Sequence, residues 1–360
     1  MPANALRLTA LLCALALPIG CATGGKTVQE SVDALMRDYA GDGPGASVLV
    51  IENGKPVVER AYGFADLEAR TPAAPRTNYR LASVSKQFTA TAVLLLARDG
   101  KLGLDDPVRK WLPSLPAKAA DAITIKHLLT HTSGLIDYED LMAEDATEQV
   151  HDADVLRLLE TQDHTYFAPG ADYRYSNSGY ALLALIVEKA SGKRYADFLR
   201  DRIFLPLGMD RTVAYEKGIS EVADRAYGYS LIDGRWRRTD QSSTSAVLGD
   251  GGIYSSIDDL AKWDAAQYDD RLLDAQSRKL ATTPWTKTDD PAIEYGYGWR
   301  ITGETLWHSG ETIGFRNVIV RYPQRRLTVI VLTNRDDPEP YRTAVRIADL
   351  FLRKRSESVR

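Results

Sequence analysis

Cysteine is almost missing from this chain. There are two in 360 residues, Cys13 and Cys21, both close to the N-terminus. The body therefore has no disulfide framework and no Cys-x-x-Cys metal knuckle. Neither sign of charge dominates. Lys plus Arg number 45 against 49 Asp plus Glu, a net charge of -4, and the two signs are interspersed. No basic stripe offers a nucleic-acid footprint. The one basic cluster, Arg353-Lys354-Arg355, sits in a polar tail and reads as solvated. The chain also lacks internal repeats and low-complexity blocks. It has no Gly-x-Ser-x-Gly, so a nucleophile-elbow hydrolase finds no support.

What remains is an ordinary globular balance, 44% hydrophobic and 26% charged, enough for one large or two medium domains. The N-terminus reads as an export signal. Arg7 is its lone early charge, and Leu8 to Leu17 is almost wholly apolar. That run is too short for a membrane-spanning helix, which needs about 20 residues. Pro18-Ile19-Gly20-Cys21 follows and resembles a bacterial lipobox, with Pro18 standing where Leu is usual. Residues 1–21 are thus expected to be a signal peptide. Lipidation at Cys21 would tether an exported protein to a membrane of the cell envelope or periplasm.

Periodicity outlines the elements. Val28 to Tyr39 has the spacing of an amphipathic helix. Ala46–Glu52 and Pro56–Tyr62 are rich in β-branched residues, and Asn53-Gly54 between them predicts a hairpin. A helix is expected from Ser83 to about Arg98. Proline-punctuated helical pieces follow, including Thr124–Thr130, Ala181–Ala190 and Tyr195–Ile203, the last stopped by Pro206 and Gly208. A second hairpin is predicted over Asp233-Gly234. Four strands, at 296–302, 305–309, 316–322 and 327–333, form a meander, and a last helix runs from Tyr341 to about Leu352. The pattern predicts an α/β fold: a mainly antiparallel sheet flanked by helices, from residues 27–104 and 225–355, with a mostly helical insertion at 105–224.

Ser83-Val84-Ser85-Lys86 opens the helix that follows Arg80. Residues at i and i+3 share a helical face, so Lys86 can reach the Ser83 hydroxyl. A serine alcohol is a poor nucleophile without such a partner. Ser-x-x-Lys alone is equally the signature of an N-cap beside a solvated lysine. Two later pieces decide the matter. Tyr175-x-Asn177 lies on the loop after Pro169-Gly170, and His308-Ser309-Gly310 lies where a strand meets a turn.

Three such motifs in this order resemble the penicillin-recognising serine hydrolases. More narrowly, the chain is similar to the class C β-lactamase family, with its D-alanyl-D-alanine peptidase, D-aminopeptidase and esterase relatives. The resemblance runs from about Val28 to Leu352. It takes in Ile125 to Leu135 and Gly251-Gly252-Ile253-Tyr254-Ser255-Ser256 as well. It implies a Ser83 acyl-enzyme acting on small or cell-wall peptides, amides or esters, without a cofactor. Lys86 would keep the local potential positive. Tyr175, as phenolate or through Lys86, would be the general base and then the acid for the leaving group, and Asn177 would donate to the substrate's amide oxygen and to Lys86. The oxyanion would lie between the amides of Ser83 and Glu311, beyond His308, Ser309 and Gly310. His308 stands where true β-lactamases have Lys, which favours peptidase or esterase chemistry. A true β-lactamase, or a catalytically silent binding protein, is the alternative.

His127 and His131 have the i, i+4 spacing of a metal pair but lack the Glu of a zincin motif, so no metal is expected. Asp137-Tyr138, Tyr229, Asp250 and Phe315 are candidate walls of the substrate pocket.

Overall fold

A computed structural model describes residues 27–357 of the chain. The expected signal segment and Cys21 lie outside the described residues. Every long strand belongs to one antiparallel sheet of eight. Its strands are β1 (Ala46–Glu52), β2 (Lys55–Tyr62), β3 (Thr286–Lys287), β4 (Glu294–Tyr295), β5 (Arg300–Thr302), β6 (Thr305–Thr312), β7 (Phe315–Tyr322) and β8 (Leu327–Thr333). They lie in the order β3-β4-β5-β6-β7-β8-β1-β2. Asn53 and Gly54 both take positive φ, 53° and 77°, as a two-residue hairpin turn between β1 and β2 requires. β8 then pairs with β1, Ala46 opposite Thr333, so the two ends of the chain close one sheet.

Alternation along these strands makes two cores. Val48, Val50, Val318, Val320, Val329 and Val331 face helices α1 (Val28–Leu35) and, at the C-terminus, Tyr341–Glu357. Leu49, Ile51, Ile319, Ile330 and Leu332 face the other way, onto the larger core. That core holds α2 (Lys86–Arg98) and α3 (Asn177–Ser191). α2 is buried continuously from Lys86 to Leu96, because it packs against α3 and against the helical pieces at Leu248–Gly251, Ala275–Thr282, Tyr195–Leu199 and Arg200–Phe204. The chain between residues 105 and 224 is helical and irregular apart from the two-residue strand Val213–Ala214. That strand pairs with Ile253–Ser255, which also pairs with Tyr79–Arg80, just ahead of Ser83.

The strand expected at 296–302 forms only over Arg300–Thr302, and the helix expected at 181–190 begins at Asn177. The strand expected to end at 309 runs on to Thr312 and so holds His308-Ser309-Gly310 within it. Three further elements differ from the sequence reading. The N-terminal helix ends at Leu35, and a 3₁₀ turn follows at Arg37–Tyr39. The helix at Tyr195 runs through Pro206. A π turn at Arg200–Phe204 intervenes, so Pro206 falls in the first turn of a new piece, where its missing N–H costs nothing. Gly208, at φ 68°, is the actual stop. The third difference is at Ser83 itself.

Candidate active site

Ser83 is neither an N-cap nor the first residue of an α-helix. It lies in a 3₁₀ turn, Ala82–Ser85, that feeds α2 at Lys86. The turn is entered through Ala82 at φ 49°, a left-handed conformation that a Cβ disfavours. The surroundings hold it there. The Leu81 N–H donates to Ile253 O at 2.8 Å, and Asn317 Nδ2 donates to Arg80 O at 2.7 Å. β6 crosses against this turn at Gly310. A Cβ at Gly310 would stand 2.0 Å from the Leu81 carbonyl oxygen and 3.3 Å from the Ser83 nitrogen. Glycine is the one residue that lets strand and turn approach so closely.

Lys86 is fully buried and has three acceptors for its three protons. Its Nζ donates to Ser83 Oγ at 3.1 Å, to Asn177 Oδ1 at 2.8 Å and to the Asp250 carbonyl at 2.9 Å. This corrects one expected contact. Asn177 accepts from Lys86, while its Nδ2 donates to Glu139 Oε1 at 3.1 Å. Ser176 caps α3, its Oγ accepting from Gly179 N at 3.1 Å, and so places Asn177 at the helix start facing α2. Tyr175 comes just before. Lys86 Nζ lies 4.9 Å from the centre of its ring, and its hydroxyl is buried without a hydrogen-bond partner.

The His-x-Gly residues divide into two groups. Gly310 and Glu311 border Ser83, and Glu311 lines its pocket. His308 does not. Its ring is 1% exposed and lies beneath the site. Nδ1 is 2.6 Å from the Ser309 carbonyl, which can only accept, so Nδ1 carries the proton and Nε2 accepts from Tyr295 Oη at 3.0 Å. Burial, with Arg300 and Lys86 nearby, holds the imidazole well below its ordinary pKa and therefore neutral. The cation that sequence reading missed is Arg300 on β5. Its guanidinium lies 5.4 Å from the Tyr175 ring, and its Nε is buried without a partner. Its signal was an arginine eight positions before the histidine of His-x-Gly, on the neighbouring strand.

The pocket at Ser83 is walled by Tyr138, Glu139, Asn177, Asp250 and Glu311. Asp250 is raised to about 7, chiefly by burial, and further by Asp152 and Glu139 against the opposing charge of Lys86. Its Oδ2 accepts from Tyr138 Oη at 3.1 Å. Glu139 and Asp137 are also raised, first by burial. Asp137 stands behind the wall, where Oδ2 accepts from Asn177 N at 2.8 Å. Tyr229 and Phe315 do not reach the pocket. Tyr229 bonds Glu68 and the Leu67 amide, and Phe315 is wholly buried against Gly228 and Tyr254.

His127 and His131 serve different segments. His127 Nδ1 accepts from Thr124 N at 3.2 Å and closes a capping box. His131 turns the other way and packs its ring 4.3 Å from that of Tyr175.

The sequence profile of the Beta-lactamase family matches residues 28–353. The chain belongs to that family. It is similar to penicillin-binding protein 4* of Bacillus subtilis, at 34% identity over 83% of this chain and 70% of that protein. It is 30% identical to protein flp of Staphylococcus aureus, over 85% of this chain and 63% of that one. Among solved structures, the octameric penicillin-binding protein homologue from Pyrococcus abyssi superposes with a TM-score of 0.80 at 28% identity, covering 90% of this chain and 76% of the other. The family is one of serine hydrolases that act on peptide, amide or ester bonds, and this chain is a member with the same mixed α/β architecture.

Proposed function

We propose that Ser83 is the nucleophile of an acyl-enzyme hydrolase. The observation that carries this is the contact between Lys86 Nζ and Ser83 Oγ, made by a lysine whose three hydrogen-bond acceptors all belong to residues of the Ser83 pocket. The Ser83 hydroxyl gives up its proton as Oγ attacks the substrate carbonyl. Lys86 stabilises the charge that develops and the phenolate form of Tyr175, and that phenolate receives the proton. The tetrahedral oxyanion lies toward the amides of Ser83 and Glu311. The C–N or C–O bond then breaks, and the departing amine or alcohol takes the proton back. Water enters, loses a proton to the same base and attacks the acyl carbonyl; the acyl–Oγ bond breaks, Ser83 Oγ takes that proton, and the acid leaves. Asn177 holds Lys86. Because His308 is neutral, Arg300 supplies the permanent positive charge on this side of the cleft.

The substrates this favours are small peptides, amides or esters. The test is a panel of a neutral ester, a D-alanyl peptide and a cephalosporin, run on the purified protein and on Ser83→Ala. Turnover of at least one substrate that vanishes in Ser83→Ala supports the proposal. Equal turnover by the two proteins overturns it.

We further infer that the protein is exported and lipidated at Cys21, the one cysteine outside the apolar run. Cys21→Ser is expected to move it from the membrane fraction to the soluble one, or to block its processing. A wild type already wholly soluble after export contradicts this.

A further inference from the structure

His131 belongs to a stretch without obvious chemistry, yet it touches the chain on both sides of Tyr175. Its carbonyl accepts from Arg174 N at 3.0 Å, and its Nδ1 accepts from Ser176 N at 3.1 Å. The residue between those two amides is Tyr175. The ring of His131 lies 4.3 Å from the Tyr175 ring at 34°, and 4.5 Å from Tyr295, which meets it edge-on at 63°. The backbone of His131 is itself left-handed, at φ 58°, a conformation costly for a side chain and kept only where the surroundings insist on it. Here it lets one residue present its carbonyl and its imidazole to the same loop.

We propose that His131 is a positioning residue for the reaction: a neutral imidazole that fixes the backbone on either side of Tyr175 and the plane of its ring. The idea rests on Tyr175 acting as base at Ser83. The tautomer follows from the contacts. Nδ1 faces an N–H, so it must be the acceptor, and Nε2 carries the proton. Burial, together with Lys86, His308 and Arg300, keeps the ring uncharged. A protonated ring would have a donor at both nitrogens and would lose the Ser176 contact. A shift of the phenol by even about 1 Å is enough to cost roughly 10²-fold in rate.

The experiment is a double-mutant cycle on ester turnover, with His131→Leu and Tyr175→Phe made singly and together. If His131 acts through Tyr175, His131→Leu lowers kcat by about 10-fold or more with little change in KM. It then lowers the rate by less than about 3-fold when Tyr175 is already Phe. Equal losses in the two backgrounds, or no loss in the first, overturn the proposal. Should His131→Leu fail to fold, His131→Asn and His131→Gln decide. The Asn amide oxygen can reach the Nδ1 position, whereas the Gln amide falls nearer Nε2. Asn is expected to stay within about 3-fold of wild type and Gln to lose about 10-fold. Equal rates for the two contradict the clamp. Ser83→Ala is run beside them: persistence of turnover there sinks the nucleophile, a separate outcome from additivity in the cycle.

Discussion

Asn177 Oδ1 stands 2.8 Å from Lys86 Nζ, nearer than the Ser83 hydroxyl at 3.1 Å. The lysine is therefore held by the start of α3 as much as by its own helix. Removing Lys86 takes away the charge beside the nucleophile, whereas removing Asn177 only loosens the lysine. Lys86→Met is expected to lower kcat/KM by roughly 10³-fold or more, and Asn177→Ala by about 10-fold to 10²-fold. Steady-state kinetics on a neutral ester check the order. A larger loss in Asn177→Ala would show that the amide has its own part in the chemistry.

Gly310 separates β6 from the turn that carries Ser83. Gly310→Ala would bring a methyl to within 2.0 Å of the Leu81 carbonyl, so strand or turn must move. A loss of about 10²-fold in kcat/KM is expected, with KM less affected than kcat. Wild-type kinetics in this variant would mean that the approach is looser than described.

Asp250 makes stability depend on pH. Its folded value of about 7 lies above the ordinary carboxylate value of 3.8. Between those two values the folded chain binds the proton more readily than the unfolded one. The resulting stabilisation is complete below about pH 3.8 and is lost as the pH rises through about 7. Asp250→Asn removes the dependence, so its melting temperature should gain on wild type by about 2 °C or more between pH 5 and pH 8. Thermal unfolding at the two pH values measures this. A difference that does not change with pH contradicts it.

Arg321 on β7 and Asp264 on the helix Ile257–Ala265 form an ion pair at 2.7 Å with side chains only 3% and 2% exposed, and Thr328 also donates to Asp264. Asp264→Ala leaves the guanidinium buried without its counter-charge. The cost is about 3–5 kcal/mol, on the order of 10 °C in melting temperature. The rate at which the folded protein turns over a neutral ester should change little, because the pair is not part of the Ser83 pocket.

Much of this was legible from residue pattern, and the exceptions have physical causes. Asn53-Gly54 and Asp233-Gly234 announced their hairpins because a two-residue turn needs positive φ at both positions. The β-branched residues of Ala46–Glu52 spoke for a strand, but only the sheet's two covered faces show that Val48 and Val50 on one side and Leu49 and Ile51 on the other are both buried. The Ser83–Lys86 contact follows from their i, i+3 spacing, whereas the Lys86–Asn177 contact joins two helix starts 91 residues apart. The conformation of Ala82 had no local signal: alanine favours a helix, and the left-handed turn is imposed by the neighbours of Arg80, Leu81 and Gly310. Pro206 misled because a π turn moved the helix start to just before it. His308 was expected in the open site, since sequence cannot show that its partners, Tyr295 and Ser309 O, lie inside the protein. Arg300 and His131 were passed over because their parts depend on contacts across β5 and the Tyr175 loop.

The most direct measurement of the central claim is intact-mass and peptide mass spectrometry after exposure to a fluorophosphonate. The account predicts one adduct per chain, on the peptide that carries Ser83, formed far more slowly in Lys86→Met and absent from Ser83→Ala. An adduct on another residue, or labelling that survives Ser83→Ala, would contradict it.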